Sequence, residues 1–341
     1  MNVLHGMSEI SGQGSYTVQG LRRNGVVAEL AVFSDQKNRC AADIILDRTD
    51  RAGVRAFAER AAEEIDVFHS HAGDTLLPDQ SDLDLFKENH VRVFAEFHGT
   101  EIRYIFNDIP LPFAPKERIP SAERLQRQKL LLNLMNKSDG IILHSEGQYP
   151  YLPQDISKSV YIVPLRVDIR RLTAQYETGN KRLRIVHAPT NRRFKGTGRI
   201  LEALERVKED FELVLVERKT PEEALEIYHT ADILIDQISG GSYGVLSIEA
   251  MALGKPVIAY ISEQTRRRHP LLPIVSADFD SLGDAVSDLI SDEQKRIHLG
   301  RRGREYVEQY HDHVRVAALL AELYAGGRLL RPLPRNLFDL L

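Results

Sequence analysis

Residues 236–259, DQISGGSYGVLSIEAMALGKPVIA, contain the pattern that decides the fold. An apolar run ends at Asp236, a glycine-rich loop follows, and a helical stretch then stops at Gly254, before Lys255 and Pro256. Glycines let backbone N–H groups approach an anion closely, and a helix N-terminus favours negative charge. The segment therefore predicts a strand, a loop able to hold phosphate, a helix and a second strand in succession.

The same alternation of short apolar runs with amphipathic stretches continues along the chain. Parallel strands need crossover connections, so this alternation predicts an α/β fold with two parallel sheets covered by helices. The polar stretch 170–181 has no strong periodicity and is expected to link two domains. Two facing Rossmann-like halves would bind ligands in a cleft between the carboxyl ends of their strands.

Composition limits the classes of function. The chain has 341 residues, which is roughly two domains at about 150 residues each. With 45 basic and 49 acidic residues its net charge is −4, which excludes a chain built throughout to bind nucleic acid. The single cysteine, Cys40, fits a reducing compartment. No apolar run is long enough for a membrane span, and the N-terminus does not resemble a secretory signal, so a soluble cytoplasmic protein is expected.

The loop 187–197, HAPTNRRFKGT, gathers three cations between a strand and a helix. Arg192, Arg193 and Lys195 lie near a helix N-terminus, where each positive charge is unfavourable by roughly a few tenths of a kcal/mol. A bound phosphate would reverse the sign of that effect. Phosphate binding is the favoured interpretation, and a solvated basic loop is the alternative.

Glu249 and two N-terminal glycines each leave two interpretations open. The Glu249 carboxylate could accept hydrogen bonds from both hydroxyls of a ribose, or it could simply complement the dipole of its helix. Gly12 and Gly14 lie between the first strand and a helix. They indicate either a tight turn near a phosphate or an ordinary loop, because a G-x-G without a third glycine is common.

Several histidines end apolar runs, namely His69, His71, His98, His144 and His187. In the H-x-H of His69 and His71 both rings point to one face of a strand, a spacing that zinc can use. This indicates, as an alternative, a metal-dependent hydrolase with histidines at strand ends. Such histidines are more often hydrogen-bonded residues of a core.

Six segments spread over most of the chain share the motifs of one family. They are GVLSIEAMALGKPV at 244–257, FHGTE at 97–101, DVFHSH at 66–71, SDGIILHSE at 138–146, VPLRVD at 163–168 and KG at 195–196. In these segments the chain resembles the GT-B glycosyltransferases of the retaining, family 4-like group (glycosyltransferase group 1). The segment at 244–257 is the most specific of the six.

The resemblance implies a GT-B fold: two facing Rossmann-like domains with parallel sheets, and a C-terminal crossover helix. It implies an acceptor-side domain at 1–169, a donor domain at 182–308, a crossover helix at 309–327 that packs back on the first domain, and a tail at 328–341. The implied activity moves a sugar from a nucleotide-sugar donor to a glycan, lipid-linked or small-molecule acceptor, with retention.

The resemblance also assigns roles to residues. Glu249 would bind the ribose, Lys195 would neutralise the diphosphate, and His98 would contact the donor sugar beside the reaction centre. The other donor-binding candidates are Gly12, Gly14, Arg192, Arg193, Gly241, Ser242, Tyr243 and Gly244. This design needs neither a metal ion nor a cofactor besides the nucleotide sugar, because cations and backbone N–H groups stabilise the departing diphosphate.

Acceptor specificity would come from loops 74–89 and 102–119 of the first domain. The basic run 266–268 and the tail 328–341 could touch an anionic membrane, which would place the protein at its inner face; a solvated loop and a frayed terminus are the alternatives. No nucleic-acid partner is expected, and the sequence leaves the oligomeric state open.

Three positions depart from the family pattern. Gly241 stands where the family has the partner glutamate of Glu249, and Pro189-Thr190 stand where it has Gly-Arg. Leu165-Arg166 replace the Asn-Gly of the family's hinge. A second hypothesis is therefore a non-catalytic GT-B subunit or nucleotide-sugar binder, because fold resemblance does not guarantee activity.

Overall fold

The computed structural model describes residues 1–36, 42–113, 119–326 and 336–341, and its contacts divide the chain into two units. Unit 1 contains Met1–Ile109, Glu117–Arg166 and His313–Leu341, whereas unit 2 contains Pro110–Lys116 and Val167–Asp312. A short segment from the first half of the chain thus belongs to unit 2, and the C-terminal helix belongs to unit 1. Cys40 and residues 328–335 of the predicted tail lie outside the described residues.

Unit 1 contains a seven-stranded sheet in the order β3-β2-β1-β4-β5-β6-β7. Its strands are β1 (Asn2–Gly6), β2 (Val27–Phe33), β3 (Ile44–Leu46), β4 (Val67–His71), β5 (Arg92–Glu96), β6 (Gly140–Leu143) and β7 (Val160–Ile162). The helices that connect them are α1 (Gln13–Arg23), α2 (Arg51–Glu64), α3 (Asp82–Glu88) and α4 (Ser121–Lys137).

Unit 2 contains a five-stranded sheet in the order β12-β11-β10-β8-β9. Its strands are β8 (Leu183–His187), β9 (Phe211–Leu215), β10 (Ile233–Ile235), β11 (Val257–Ala259) and β12 (Val275–Ser276). Its helices are α5 (Arg192–Lys195), α6 (Thr197–Leu204), α7 (Pro221–His229), α8 (Val245–Ala252), α9 (Glu263–Arg268), α10 (Leu282–Ser291) and α11 (Glu293–Tyr310).

Every pair of neighbouring strands in the two sheets is parallel, which confirms the predicted α/β fold. Each sheet also has a point where the strand order reverses. In unit 1 this point lies between β1 and β4, and in unit 2 it lies between β8 and β10. Loops that leave the carboxyl ends of two such strands diverge and open a crevice, which is where ligands bind in open α/β sheets.

The stretch 170–181, predicted as a linker, lies wholly in unit 2, because the units divide between Arg166 and Val167. Its backbone and side chains are held there by hydrogen bonds. Gln175 N donates to Leu253 O at 2.9 Å, and Asn180 Nδ2 donates to Asp232 Oδ2 at 2.8 Å. These partners are far away in sequence, so local polarity alone did not reveal them.

The last helix of the chain, α12 (His313–Tyr324), packs in unit 1. Its side chains Val316, Leu320 and Leu323 belong to the same apolar core as Leu30 of β2 and Phe94 of β5. Helix α12 lies close against α1 at a glycine, since a Cβ atom on Gly20 would stand 2.3 Å from His313 O. The close contact between the two helix backbones depends on the missing side chain.

No helix in the described part of the chain is long and apolar enough to cross a membrane. Two members of the basic run 266–268 are engaged within unit 2. Arg266 donates to Leu272 O at 2.9 Å and to Ile274 O at 3.0 Å, while Arg267 pairs with Glu263 one helical turn earlier. Membrane contact by this run and by the tail stays a prediction.

Replacing Gly20 with alanine should destabilise unit 1 by about 1–3 kcal/mol, because the added methyl group forces α1 and α12 apart. Urea unfolding measures this loss. The matched control is Gly198→Ala in α6, where a Cβ atom meets no neighbour. There we expect no loss and a gain of up to about 1 kcal/mol from helix propensity. Equal effects at the two sites would contradict the close packing of α12 on α1.

Candidate functional site

The carboxyl edge of the unit 2 sheet gathers the predicted donor-binding residues. His187 ends β8, and Asp236 directly follows β10, so both lie at the point where the strand order reverses. The loop after β8 leads into α5 with Lys195, and the loop after β10 leads through Gly241 to the start of α8. The structure therefore brings the two phosphate-loop candidates to one crevice of one unit.

A buried ion pair joins these two loops. Lys195 is 8% exposed and Asp236 is fully buried, and Nζ of Lys195 lies 2.5 Å from Oδ1 of Asp236. The other carboxylate oxygen accepts from Ser247 Oγ at 2.6 Å and from Gly244 N at 3.2 Å. Burial alone would raise the pKa of Asp236, but the Lys195 ammonium and these donors hold it below its usual value. Asp236 thus fixes the start of α8 against Lys195.

Asp236 is a site residue that the sequence analysis did not assign. It opens the quoted segment 236–259, where its place directly after an apolar strand and before the glycine-rich loop was a usable signal. The ammonium of Lys195 also donates to Gln237 Oε1 at 3.3 Å. Since an ammonium group has three N–H donors, one remains for a ligand.

Glu249 lies one turn inside α8 and is half-buried. Its carboxylate has no hydrogen-bond or ion-pair partner among the residues that the structure describes. Burial and the nearby charge of Asp236 raise the pKa of Glu249 to about 8. The side chain therefore holds a proton at neutral pH, and as a carboxylic acid it can donate one hydrogen bond and accept others.

Hydrogen bonds to its backbone carbonyls and side chains hold the glycine-rich loop in place. Gly241 has a φ of +74°, in the left-handed region, and its carbonyl accepts from Ser262 N and Thr265 Oγ1, both at 2.9 Å. The carbonyl of Ser242 accepts from Gln237 Nε2 at 2.6 Å. The hydroxyl of Tyr243 lies 3.2 Å from His311 Nε2. Gly241, Ser242 and Tyr243 thus shape the loop whose last member, Gly244, is bound by Asp236.

Arg192 and Arg193 lie on α5 and are exposed, unlike Lys195. Arg192 makes a two-fold contact with the Glu217 carboxylate, with N···O distances of 2.6 and 2.8 Å. Two of the three cations predicted to face phosphate, Arg192 and Lys195, therefore already have a carboxylate partner. A diphosphate would have to share or replace those partners.

In unit 1, an acidic side chain occupies the helix N-terminus where a phosphate was predicted. Gly12 has a φ of +78° and precedes α1. The amides of Gly14 and Ser15 donate to the carboxylate of Glu9, at 3.4 and 2.9 Å. Glu9 is only 1% exposed, and burial raises its pKa. Glu9 was missed by the sequence analysis, and a phosphate at Gly14 would have to displace it.

The strand ends of unit 1 bring four histidines into one hydrogen-bonded chain. His71 Nε2 lies 3.0 Å from His5 Nδ1, and His71 Nδ1 lies 3.4 Å from His98 Nε2. His98 Nδ1 lies 3.1 Å from His144 Nε2. The other nitrogen of His144, Nδ1, lies 3.0 Å from Val163 O. We call this arrangement the histidine chain.

The Val163 carbonyl sets the direction of the hydrogen bonds when the rings are neutral. A carbonyl only accepts, so His144 must donate from Nδ1 and accept at Nε2 from His98. The same rule then makes His71 donate to His98, and His5 donate to His71. The same Nε2 atom of His144 also lies 3.3 Å from Glu96 Oε1.

A buried ion pair stands beside the histidine chain. Glu96 and Arg166 are both fully buried and in contact, and His69 Nε2 lies 2.9 Å from the second oxygen of Glu96. Burial alone would raise the pKa of Glu96, but Arg166 and the imidazoles hold it well below its usual value. Arg166, which the sequence analysis noted only as a departure from the hinge motif, is thus the counter-ion of Glu96.

Burial keeps the rings near this pair neutral. It lowers the pKa of His69, lowers that of His71 to about 3, and lowers those of His5 and His98 well below the usual value. Both nitrogens of His98 are engaged by other histidines. The 3.4 Å contact with His71 is the longest in the histidine chain, and the predicted contact of His98 with a donor sugar stays a prediction.

The hydrolase alternative predicted a metal at His69 and His71. One ring nitrogen each from His5, His69 and His71 lies within 4.8 Å of the others, so the three could hold an ion. All three are fully buried, whereas a hydrolytic metal needs a position open to water and substrate. The geometry of these three histidines therefore favours a hydrogen-bonded core over a hydrolytic centre.

Asp236→Asn should destabilise unit 2 by about 3–5 kcal/mol, because it leaves the Lys195 charge buried without its partner. The double variant Asp236→Asn/Lys195→Met should be more stable than the sum of the single changes predicts. Urea unfolding of the four proteins measures this coupling. The matched control is Glu217→Gln at the exposed Arg192 pair, which should cost under about 1 kcal/mol. Additive single changes at Asp236 and Lys195 would contradict the pair.

The raised pKa of Glu249 predicts a pH dependence. A carboxyl group with a folded-state pKa above its unfolded value contributes stability that is complete below about pH 4.5 and is lost as the pH rises through about 8. This loss is absent in Glu249→Gln. The free energy of unfolding of the variant should therefore rise by roughly 1–3 kcal/mol relative to that of the wild type between about pH 5 and pH 9. Urea unfolding across this range measures the gain. Glu202→Gln, an exposed residue of α6, should show no such trend, and a flat difference for Glu249→Gln would refute the shift.

No protein-family model matches the chain. Over 110 residues, or 31% of the chain, it is 28% identical to D-inositol 3-phosphate glycosyltransferase from Corynebacterium urealyticum. That match covers 26% of the relative, so the chain spans about a quarter of the length of the curated relatives it matches.

Solved structures match nearly the whole chain. Sucrose-phosphate synthase from Thermosynechococcus elongatus matches with a TM-score of 0.68 and 14% identity, over 95% of this chain and 98% of that chain. HepE from Anabaena, in complex with UDP-glucose, matches with a TM-score of 0.63 and 13% identity, over 95% and 99%. These neighbours are GT-B glycosyltransferases, so the predicted resemblance and the GT-B fold class are confirmed.

Proposed function

We propose that the protein transfers a sugar from a nucleotide-sugar donor to a hydroxyl group of an acceptor, with retention at the anomeric carbon. The observation that carries the proposal is the half-buried, unpartnered carboxyl group of Glu249 beside the Lys195–Asp236 pair. Both lie at the reversal point of the unit 2 sheet, where a nucleotide would bind. The names of the relatives support the same activity.

The geometry gives each group a task. Glu249, protonated near neutral pH, donates to one ribose oxygen and accepts from the neighbouring hydroxyl. Lys195 offers its third N–H to the diphosphate, and the first free amides of α8 favour the same negative charge. As the bond to the sugar breaks, charge grows on the leaving diphosphate, and these fixed donors stabilise it.

We further propose that this transfer needs no metal ion. The role that a divalent cation would play at a diphosphate falls to Lys195 and to the N-terminus of α8, which carries no acidic residue in its first turn. HepE, a protein of like fold, is described in complex with UDP-glucose, which supports a nucleotide sugar as the ligand.

Gly241 favours one second candidate, a nucleotide-sugar-binding subunit without catalytic activity. In the family that the chain resembles, this position carries the glutamate that pairs with Glu249. Here it carries no side chain, and its left-handed backbone strongly favours glycine. Binding without turnover would identify this second candidate.

Donor binding is tested by thermal unfolding with UDP-, GDP-, ADP- and dTDP-sugars. At a hundredfold excess over its dissociation constant, the right donor stabilises by about 2.7 kcal/mol, which raises Tm by roughly 5 °C or more. Glu249→Ala should shrink this shift, because alanine can neither donate to nor accept from the two ribose hydroxyls, while Glu202→Ala, an exposed residue of α6, should leave it unchanged. No shift with any donor, or an unaltered shift in Glu249→Ala, would contradict the proposed donor site.

Turnover separates the two candidate functions. Release of the nucleoside diphosphate from the stabilising donor, with or without an added acceptor, identifies an enzyme. Repeating the assay with a strong chelator tests the role of metal ions, and we expect an unchanged rate. A rate that falls with the chelator and returns with a divalent cation would overturn the metal-independent mechanism.

A further inference from the structure

A pocket in unit 1 has features that the donor site does not explain. It has a volume of about 430 Å³, within the range of small-ligand pockets. Phe33 at the end of β2 and Gly73 after β4 both line it, so it opens at the carboxyl edge of the unit 1 sheet. This is the edge where ligands of such sheets bind. We call it the unit 1 pocket.

One side of the unit 1 pocket is cationic. Arg48, Arg51 and Arg55 line it, and Arg51 and Arg55 lie in the first two turns of α2. Positive charge there opposes the helix dipole, and the carboxylate at this helix N-terminus is that of the N-cap Asp50, which accepts from the amide of Gly53 at 2.9 Å. An anion bound beside these arginines would turn an unfavourable arrangement into a favourable one.

Two of these three arginines are available to a ligand. The guanidinium of Arg51 has no hydrogen-bond or ion-pair partner within the described ranges of the chain. Arg55 contacts Glu59 at 3.1 Å, but both side chains are more than half exposed, and such pairs contribute little. Arg48 lies over the ring of Phe33 at 3.8 Å, and its guanidinium lies 3.6 Å from Asp35 and 3.5 Å from Asp74, so Arg51 and Arg55 are the two arginines open to a ligand.

The acidic residues that line the unit 1 pocket have other partners. Asp74 accepts from Ser8 Oγ and lies 3.5 Å from Arg48. Asp79 accepts from the amide of Ser81 at 3.1 Å and from its hydroxyl at 2.8 Å. These bonds hold both carboxylates in place, and since three arginines and two aspartates line the pocket, its lining carries a net positive charge.

Part of the lining of the unit 1 pocket is apolar. Val54 and Leu77 are buried side chains that still line the pocket, and Leu130 of α4 lies beside them. A purely ionic ligand would leave this surface in water. A ligand with an apolar part next to its anionic group would cover this surface and remove it from water, which is favourable.

We propose that the unit 1 pocket binds the acceptor, and that the acceptor is an amphipathic phosphate ester. Its phosphate would bind Arg51 and Arg55, and its apolar part would lie against Val54, Leu77 and Leu130. Arginine pairs with phosphate through two parallel hydrogen bonds, which makes it better suited than lysine to this geometry. The assignment as acceptor rests on the proposed function, whereas the binding itself does not.

Titration calorimetry with octyl phosphate, below its micelle concentration, tests the pocket in the full chain. Arg51→Ala and Arg55→Ala should each weaken binding by about tenfold, because each removes a charged hydrogen-bond donor. The matched control is Arg60→Ala, an exposed arginine farther along α2 and outside the pocket. Inorganic phosphate should bind at least tenfold more weakly than octyl phosphate.

The outcomes separate the possible sources of the phosphate. Binding of octyl phosphate that Arg51→Ala and Arg55→Ala weaken and Arg60→Ala does not supports the proposal. No binding, equal binding of inorganic phosphate, or binding unaffected by both pocket variants would overturn it. Binding only to phosphatidic acid in phosphatidylcholine vesicles would also overturn it, since it indicates a charged surface instead of a pocket.

Thermal stabilisation of the protein by nucleotide sugars, measured on the same samples, distinguishes the failure of one proposal from the failure of the other. If octyl phosphate binds as expected and no nucleotide sugar stabilises the protein, the pocket stands and the transfer reaction falls. If a nucleotide sugar stabilises the protein and octyl phosphate does not bind, the transfer reaction stands and the acceptor class is wrong.

Discussion

A carboxylate buried at the edge of a parallel sheet needs a cation, and each unit of this protein supplies one from another part of the chain. In unit 1 the pair is Glu96 with Arg166, and in unit 2 it is Asp236 with Lys195. Leaving either charge unpaired would cost several kcal/mol, since the low dielectric of a core penalises an isolated ion. Each pair therefore neutralises two buried charges and also holds in place the loops that carry them.

The two pairs organise their surroundings in different ways. Arg166 also exchanges hydrogen bonds with Gln13, through Gln13 Oε1 at 2.8 Å and Arg166 O at 3.0 Å, so it links Glu96 to the start of α1. The charge of Glu96 then sits beside neutral imidazoles. Asp236 instead binds the first residues of α8, and its negative charge adds to burial in raising the pKa of Glu249. One pair thus supports a hydrogen-bonded core, and the other holds the start of the helix that carries a candidate ligand-binding group.

The sequence predicted the α/β fold because that signal is local. Strand, loop and helix follow one another in 236–259, and the period of the apolar residues reports each element in turn. The partners of the candidate residues were not predicted. Glu96 and Arg166 are 70 positions apart, and Lys195 and Asp236 are 41 apart. Which charges meet across such separations depends on strand order, and a single sequence does not reveal that order.

Gly241, which stands where the family has a glutamate, suits the left-handed backbone of its loop. Its left-handed backbone would cost a glutamate about 1–2 kcal/mol. A Cβ atom there would also lie 3.3 Å from the Cβ of Ser262, whose amide already donates to the Gly241 carbonyl. Restoring the family's carboxylate would therefore strain the turn that positions Gly244 and α8. Gly241 itself offers no carboxylate to the loop, and the half-buried, unpaired carboxyl group of this part of unit 2 is that of Glu249, on the helix α8 that follows the loop.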